Sequence, residues 1–167
     1  MALAPAILAA QTKPVTLLGY KSTVPATWAS RAPSSAMRLA EFVAPTTDGG
    51  QAEIVVYFFG KGQGGSVASN TERWKAQFSN PDGSPVVEKI TREGTGIFPI
   101  TLAEYRGTYA RGIGAGSSPE QAKAGQELLA AIVETPNGTM FAQMYGPIAS
   151  VSAHREPFMN FIKNLTP

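Results

Sequence analysis

The chain of 167 residues has no cysteine and a single histidine. Without cysteine there are no disulfides, no thiol nucleophile, no Cys-ligated zinc and no iron–sulfur cluster. With one histidine there is no His-pair metal site. Charge is also sparse, at 16% of residues against a typical ~25%. The 14 basic and 12 acidic side chains leave a net charge of +2, too little to indicate nucleic acid without a basic patch. No apolar run reaches the ~20 residues that span a bilayer as a helix. Seventeen glycines and thirteen prolines stay below the ~25–30% that marks a disordered chain. With 43% hydrophobic residues, the length fits one globular domain that buries roughly 70% of its unfolded surface. No cofactor is implied.

The N-terminal residues 1–10 (MALAPAILAA) are apolar, and turn-prone polar residues follow. No basic residue precedes the apolar stretch, so a complete export signal is absent, yet its small-x-small pairs resemble the end of one. Two readings stay open: a clipped signal with Met1 added for expression, or a natural terminus that frays or packs as a short arm. Residues 1–14 are read as this arm and 15–167 as one domain.

Residues 15–24 have strand composition, ended by Pro25, which cannot donate to a ladder; the turn after it buries Trp28. Residues 36–43 (AMRLAEFV) alternate. Met37, Leu39 and Val43 fall on one side, with Glu41 interrupting them, and Arg38, Ala40 and Phe42 on the other. Residues 52–59 (AEIVVYFF) form a near-continuous β-branched and aromatic run, which predicts a central strand buried on both faces. After the loop 60–65, Val67, Thr71, Trp74 and Phe78 recur at helical spacing. Ser66 is the expected N-cap, with Ser69 and Glu72 as an alternative capping box. Residues 80–83 (NPDG) make a turn. Residues 86–92 and 97–110 then supply two or three strands around residues 94–96, and 111–125 form a Gly/Ser/Ala-rich loop. Residues 127–134 and 139–145 flank Asn137-Gly138, the strongest short-range hairpin signal. Residues 146–165 are helical, with Ile148, Val151, Arg155, Phe158, Ile162 and Leu165 on one stripe; Pro157 either kinks this helix or starts a new one. The fold class is therefore α+β, an antiparallel sheet of about six to seven strands with helices packed against it.

Residues 33–40 (PSSAMRLA), 56–67 (VYFFGKGQGGSV), 72–74 (ERW), 107–110 (GTYA), 128–136 (LLAAIVETP) and Gly146-Pro147 resemble an uncharacterised family of bacterial proteins. The resemblance runs from about residue 20 to the end and implies no catalytic residue. The element order is also similar to the fold shared by the photosystem II extrinsic protein PsbP and the Ran-binding import factor Mog. That likeness implies an accessory or binding role rather than an enzymatic one, although fold alone does not fix function.

The segment Gly60, Lys61, Gly62, Gln63, Gly64, Gly65 fits G-x-G-x-x-G between a strand and a helix opened by Ser66. Such a loop can aim backbone N–H groups and a helix start at an anion, and Lys61 adds a cation. A dinucleotide site also needs a parallel βαβ unit and an acidic residue about 20 positions on, whereas here the strands read as antiparallel. No G-K-[ST] ending makes it a Walker loop. These seven residues are the candidate ligand contacts; the competing reading is that the glycines only turn the chain from strand to helix.

Other candidates read as structural. His154 lacks a nucleophile elbow nearby and reads as an exposed helix residue. Glu104 and Glu134 are placed to meet across strands as paired acids do, and no acids show metal-ligand spacing. Trp28, Trp74, Tyr105 and Tyr109 belong to the core or its rim, with an aromatic-lined groove as the functional alternative. The sequons at Asn137 and Asn164 fall in a turn and in the tail. The leading functional reading is a non-enzymatic, exported or envelope-associated domain that binds a protein or a small anionic ligand. An enzyme with a site assembled from dispersed polar residues, and an intracellular adaptor, are the alternatives.

Overall fold

The structure is a computed structural model and describes residues 10–93, 96–110 and 122–167. The expectations for residues 1–9 and for most of the 111–125 loop fall outside the described residues.

Five strands precede the first helix: β1 (Thr12–Leu17), β2 (Tyr20–Pro25), β3 (Ala29–Arg31), β4 (Arg38–Pro45) and β5 (Gln51–Tyr57). Helix α1 (Val67–Lys75) leads to β6 (Phe78–Ser79), β7 (Val87–Glu93), β8 (Ile100–Tyr109), β9 (Lys123–Thr135), β10 (Gly138–Pro147) and α2 (Ile148–Lys163). β1 and β2 form a separate hairpin. The other strands make one sheet in the order β3-β4-β5-β10-β9-β8-β6, with β7 beside β6 on the same edge of β8. The described pairings are antiparallel. The α+β antiparallel architecture holds, with ten strands among the described residues rather than six or seven.

The extra strands have local causes. The 15–24 run is not one strand but a hairpin, because Leu18 and Gly19 both take positive φ, 51° and 86°, as a two-residue turn matched to strand twist requires. Pro25 does end β2, and Trp28, fully buried, follows in the turn closed by its own N–H on the Pro25 carbonyl. At the β9–β10 hairpin the register pairs Thr135 with Gly138. Its two loop residues are thus Pro136 and Asn137 rather than Asn137 and Gly138, since Pro suits the first central position and Gly the one after the turn. Phe78 leaves the helical stripe: α1 stops at Lys75, and Phe78 pairs with Tyr109 as β6. Gly146 and Pro147 end β10, and α2 runs from Ile148 through Pro157 to Lys163.

Two cores result, one on each sheet face. On the first, α2 and the β1–β2 hairpin cover Phe42, Ile54, Leu102, Leu129, Ala131, Met140 and Met144 with Trp28, Val151, Phe158, Phe161 and Ile162. The hairpin is tied down by polar contacts as well. Ser22 donates to the Phe161 carbonyl at 2.7 Å, Asn137 Nδ2 donates to the Leu18 carbonyl at 2.9 Å, and Lys21 pairs with Thr166. On the opposite face α1 lays Trp74 against Ala103, Tyr105, Leu128, Ala130, Ile132 and Phe141. Trp74 is 2% exposed, as its place on the apolar stripe demands.

Candidate functional site

The short helix α1 does not cover its whole face of the sheet. Register explains what it leaves open. Tyr57, Val55 and Glu53 of β5 stand opposite Phe141, Gln143 and Tyr145 of β10, so six side chains form a floor two strands wide. Four residues of extended chain separate its ends, about 13 Å. One wall is α1, through Asn70, Arg73 and Trp74, continued by Gln77 just past its end; Arg38 of β4 stands on the other side, and Tyr109 and Phe59 also line the hollow. The enclosed space is about 250 Å³. A second hollow of about 260 Å³ continues over β4, bordered by Arg31, Ser34, Arg38, Glu41 and Glu53.

The groove combines aromatic rings with charges of both signs: Arg38 and Arg73 at its sides and Glu53 in its floor. The Tyr57 and Phe59 rings stack with centroids 5.9 Å apart and 8° between planes. The Arg38 guanidinium lies 5.3 Å from the Tyr57 ring, a cation–π contact. Tyr109 and Tyr145 are 4.4 Å apart. Arg38 also bonds Glu41 at 2.9 Å. That contact, together with the Ser34 N–H and hydroxyl on the same carboxylate oxygen, holds Glu41 below the ordinary carboxyl range; the Ser34 N–H is the largest cause, and burial opposes it. Arg73, by contrast, donates to the Asn70 side-chain carbonyl, a neutral acceptor. Alternation alone would put Arg38 on the Ala40 and Phe42 side. A bulge between Arg38 and Ala40 shifts it to the Tyr57 and Glu41 side, as an inserted residue does.

The candidate loop sits between the floor and the wall. Gly60, Gly62, Gly64 and Gly65 all have positive φ, between 76° and 106°, a region side chains resist. A Cβ on Gly64 would lie 2.5 Å from the Phe141 ring, and one on Gly65 would lie 2.8 Å from Ser69 Oγ. Gln63 closes a turn onto the Gly60 carbonyl, and Asn70 Nδ2 donates to the Gly64 and Ser66 carbonyls. Ser66 is the N-cap: its hydroxyl accepts from Ser69 N at 3.0 Å, and the alternative cap at Ser69 does not form. Lys61, Gly62, Gln63, Gly65 and Ser66 are exposed, and Gly60 and Gly64 half-buried. None of the seven lines the groove, but Phe59 before them and Asn70 after them do. Both neighbours of β5 are antiparallel, so the loop has no parallel βαβ unit.

The remaining sequence candidates are dispersed. His154 is half-buried rather than exposed. Trp28 Nε1 donates to its Nδ1 at 3.2 Å, which leaves the proton on Nε2, 3.0 Å from the Pro45 carbonyl. Glu104 and Glu134 do not meet: Glu104 faces Leu129 across the strands, while Glu134 pairs with Thr139. The acid near Glu104 is Glu127, on the α2 face. Arg155 contacts Glu104 and lies 3.9 Å from Glu127, and Arg106 bonds Glu127 at 3.2 Å. Burial raises Glu127 above its ordinary range against the pull of Arg106 and Arg155, while Arg155 lowers Glu104 against burial. Trp28 and Tyr105 are core; burial, with Glu88 nearby, pushes the Tyr105 hydroxyl up. Trp74 and Tyr109 are buried yet also line the groove. Among the described residues no three His, Asp or Glu side chains converge as metal ligands, and no helix is long and apolar enough to cross a membrane.

No family model matches the sequence, and no curated protein matches it. Solved structures do. Cyanobacterial PsbP (CyanoP) from Synechocystis sp. PCC 6803 superposes with a TM-score of 0.59 at 10% identity, covering 99% of this chain and 98% of that one. The fold is PsbP-like. LpqN of Mycobacterium tuberculosis, a protein involved in cell envelope biogenesis, matches with a TM-score of 0.55 at 12% identity, covering 95% of this chain and 92% of its own.

The groove itself escaped the sequence reading except as an unassigned aromatic alternative. Its signal was the apolar run 52–59, read as buried on both faces. The structure buries Ala52, Ile54 and Val56 but leaves Glu53, Val55 and Tyr57 half-buried, and those half-open positions are the floor.

Proposed function

We propose that the protein is a non-enzymatic accessory domain that binds an anionic group, carried by a small ligand or by a partner protein, in the groove between α1 and the sheet. One observation carries this: an aromatic floor flanked by arginines, in which Arg73 spends its hydrogen bond on a neutral amide. A guanidinium in that state retains its charge for a carboxylate or phosphate, which it can grip with two parallel N–H groups. The stacked Tyr57 and Phe59 rings supply an apolar platform beside it. The loop from Gly60 to Ser66 extends the same surface, bringing Lys61 and the start of α1 to the end of the floor. The likeness to LpqN, involved in cell envelope biogenesis, supports placing this binding role in an exported or envelope-associated protein.

The test is an amide NMR titration with benzoate and, separately, inorganic phosphate. Benzoate should give saturable shifts at residues 53–59, 70–77 and 141–145, weakened about tenfold or more by Arg73→Gln, as for a lost charge-assisted pair. Phosphate should shift Gly62 to Val67 selectively, and Lys61→Ala should weaken that response. Shifts spread evenly over the surface, or none, overturn the reading.

A further inference from the structure

The sheet has two edges, and they are finished differently. β3 is three residues long, carries Arg31, and receives Lys13 on Ser30 at 2.9 Å; it is a blunted edge of the usual kind. β7 is seven residues long, about 20 Å, and its outer side pairs with no described strand. Of the four large hydrophobic side chains exposed among the described residues, Val87 (59%) and Ile90 (47%) are on β7. A third, Ile97 (63%), sits beside Arg92 and Glu93 just beyond it. An open strand with an exposed apolar side chain at its centre, here Ile90, is a template for another strand.

We propose that β7 pairs with β7 of a second copy, antiparallel and centred on Ile90, so that the two sheets run on as one across a two-fold axis. The strand's own pattern argues for this occupant. Paired about Ile90, VEKITRE sets Ile90 against Ile90, Glu88 against Arg92 twice, Lys89 against Thr91, and Val87 against Glu93. Opposite charges face each other and no like pair arises, which is the favourable cross-strand case. Symmetric pairing allows only centres on a residue, since residues with outward backbone groups must face their own kind. Centring on Lys89 sets two ammonium groups together. Centring on Thr91 puts Ile90 against Arg92, so no apolar contact forms across the axis, whereas about Ile90 the Glu88 carboxylate, bonded to Lys75 at 3.1 Å within its own chain, faces Arg92 as a second cation. Glu88, Ile90 and Arg92 share the sheet face of Tyr105, Ala103 and Thr101, their β8 partners, so the complementary charges flank the apolar contact on one side. Such an interface is isologous and closes on itself, yielding dimers and not filaments.

The experiment is sedimentation equilibrium of the full chain from about 1 µM to about 1 mM, the span in which small interfaces dissociate. The wild type should double in mass. Arg92→Glu puts a carboxylate opposite Glu88 at both symmetric positions, and Glu88→Lys puts an ammonium opposite Arg92; each should weaken self-association about tenfold or more. An equimolar mixture of the two variants restores both opposite-charge pairs and should recover the dimer. Both substitutions lie on an edge strand, and thermal unfolding close to that of the wild type verifies that each variant folds. A wild type that stays monomeric to about 1 mM, a dimer undiminished in both variants, or a mixture no stronger than either variant alone overturns the proposal.

Discussion

The two faces of the sheet are built to different specifications. Under α2 and the hairpin, Trp28, Phe158 and Ile54 are fully buried, and even the polar groups are pinned, as where His154 joins Trp28 to the β4 carbonyl of Pro45. Under α1 only the half toward β8 is sealed. The half toward β5 keeps Tyr57, Phe59, Gln143 and Tyr145 partly exposed. A nine-residue helix cannot cover what a sixteen-residue helix and a hairpin cover. The closed face supplies stability, and the open one is where a ligand has room.

The largest expected effect tests the closed face. Phe158→Ala should cost about 3–5 kcal/mol, the range for a buried aromatic truncated in a core that cannot collapse, read as a fall in the urea midpoint. Trp74→Ala should cost about as much, because the groove wall is core on its inner side. Phe59→Ala, on a half-buried ring with no closed cavity to leave, should cost about 1–1.5 kcal/mol. If Phe59→Ala matched Phe158→Ala, the open face would be core and the contrast would fail.

Next comes the loop that joins floor to wall. Gly64→Ala combines positive φ with a Cβ 2.5 Å from the Phe141 ring, and should cost about 2–3 kcal/mol. Gly62 has the same backbone demand but open space around it, so Gly62→Ala should cost about 1 kcal/mol. Equal costs would show that backbone strain alone, not packing on the groove floor, sets the need for glycine at both positions.

These positions also show how far the sequence could be read. Trp74, Ser66 and the 135–138 region announced helix face, cap and hairpin, because each is decided by neighbours within a few residues. What stayed hidden was decided by distant ones. Nothing local in residues 52–59 says that α1 is too short to roof Val55 and Tyr57. Nothing in the alternation of 36–43 signals a bulge, yet the bulge is what turns Arg38 toward Tyr57. The Gly60 to Ser66 loop was legible as a turn with an unusual glycine density. That Phe59 at its start and Asn70 beyond it would line a groove depended on β10 lying beside β5.

The faces should also part in their response to pH. Glu41, on the groove side, has its folded carboxyl lowered by the Ser34 N–H and Arg38, so its stabilisation is present above the unfolded carboxyl range and is lost as pH falls through the folded value. Glu127, 1% exposed on the α2 side, is raised by burial, so its stabilisation is present at low pH and is lost as pH rises through the folded value. Measured as urea midpoints from about pH 3 to about pH 8, Glu41→Gln should narrow its deficit to the wild type as pH falls. Glu127→Gln should gain on the wild type as pH rises. Slopes of the same sign for both would mean that the two acids share one environment.

The smallest effect on stability is expected where the functional claim is strongest. Arg73 is exposed at the groove wall, and its hydrogen bond goes to a side chain one turn away. Removing its charge takes nothing from either core, so Arg73→Gln should shift the unfolding free energy by no more than about 0.5 kcal/mol, as ordinary surface changes do. Lys61→Ala, fully outside both cores, should do the same. Residues chosen for packing show their loss in the urea midpoint, and residues chosen for binding show it only in the titration. An Arg73→Gln variant that lost 2 kcal/mol would place Arg73 among the fold's supports and move the anion contact elsewhere. One that kept its stability while its benzoate response fell tenfold would put the recognition charge on the wall of the open face.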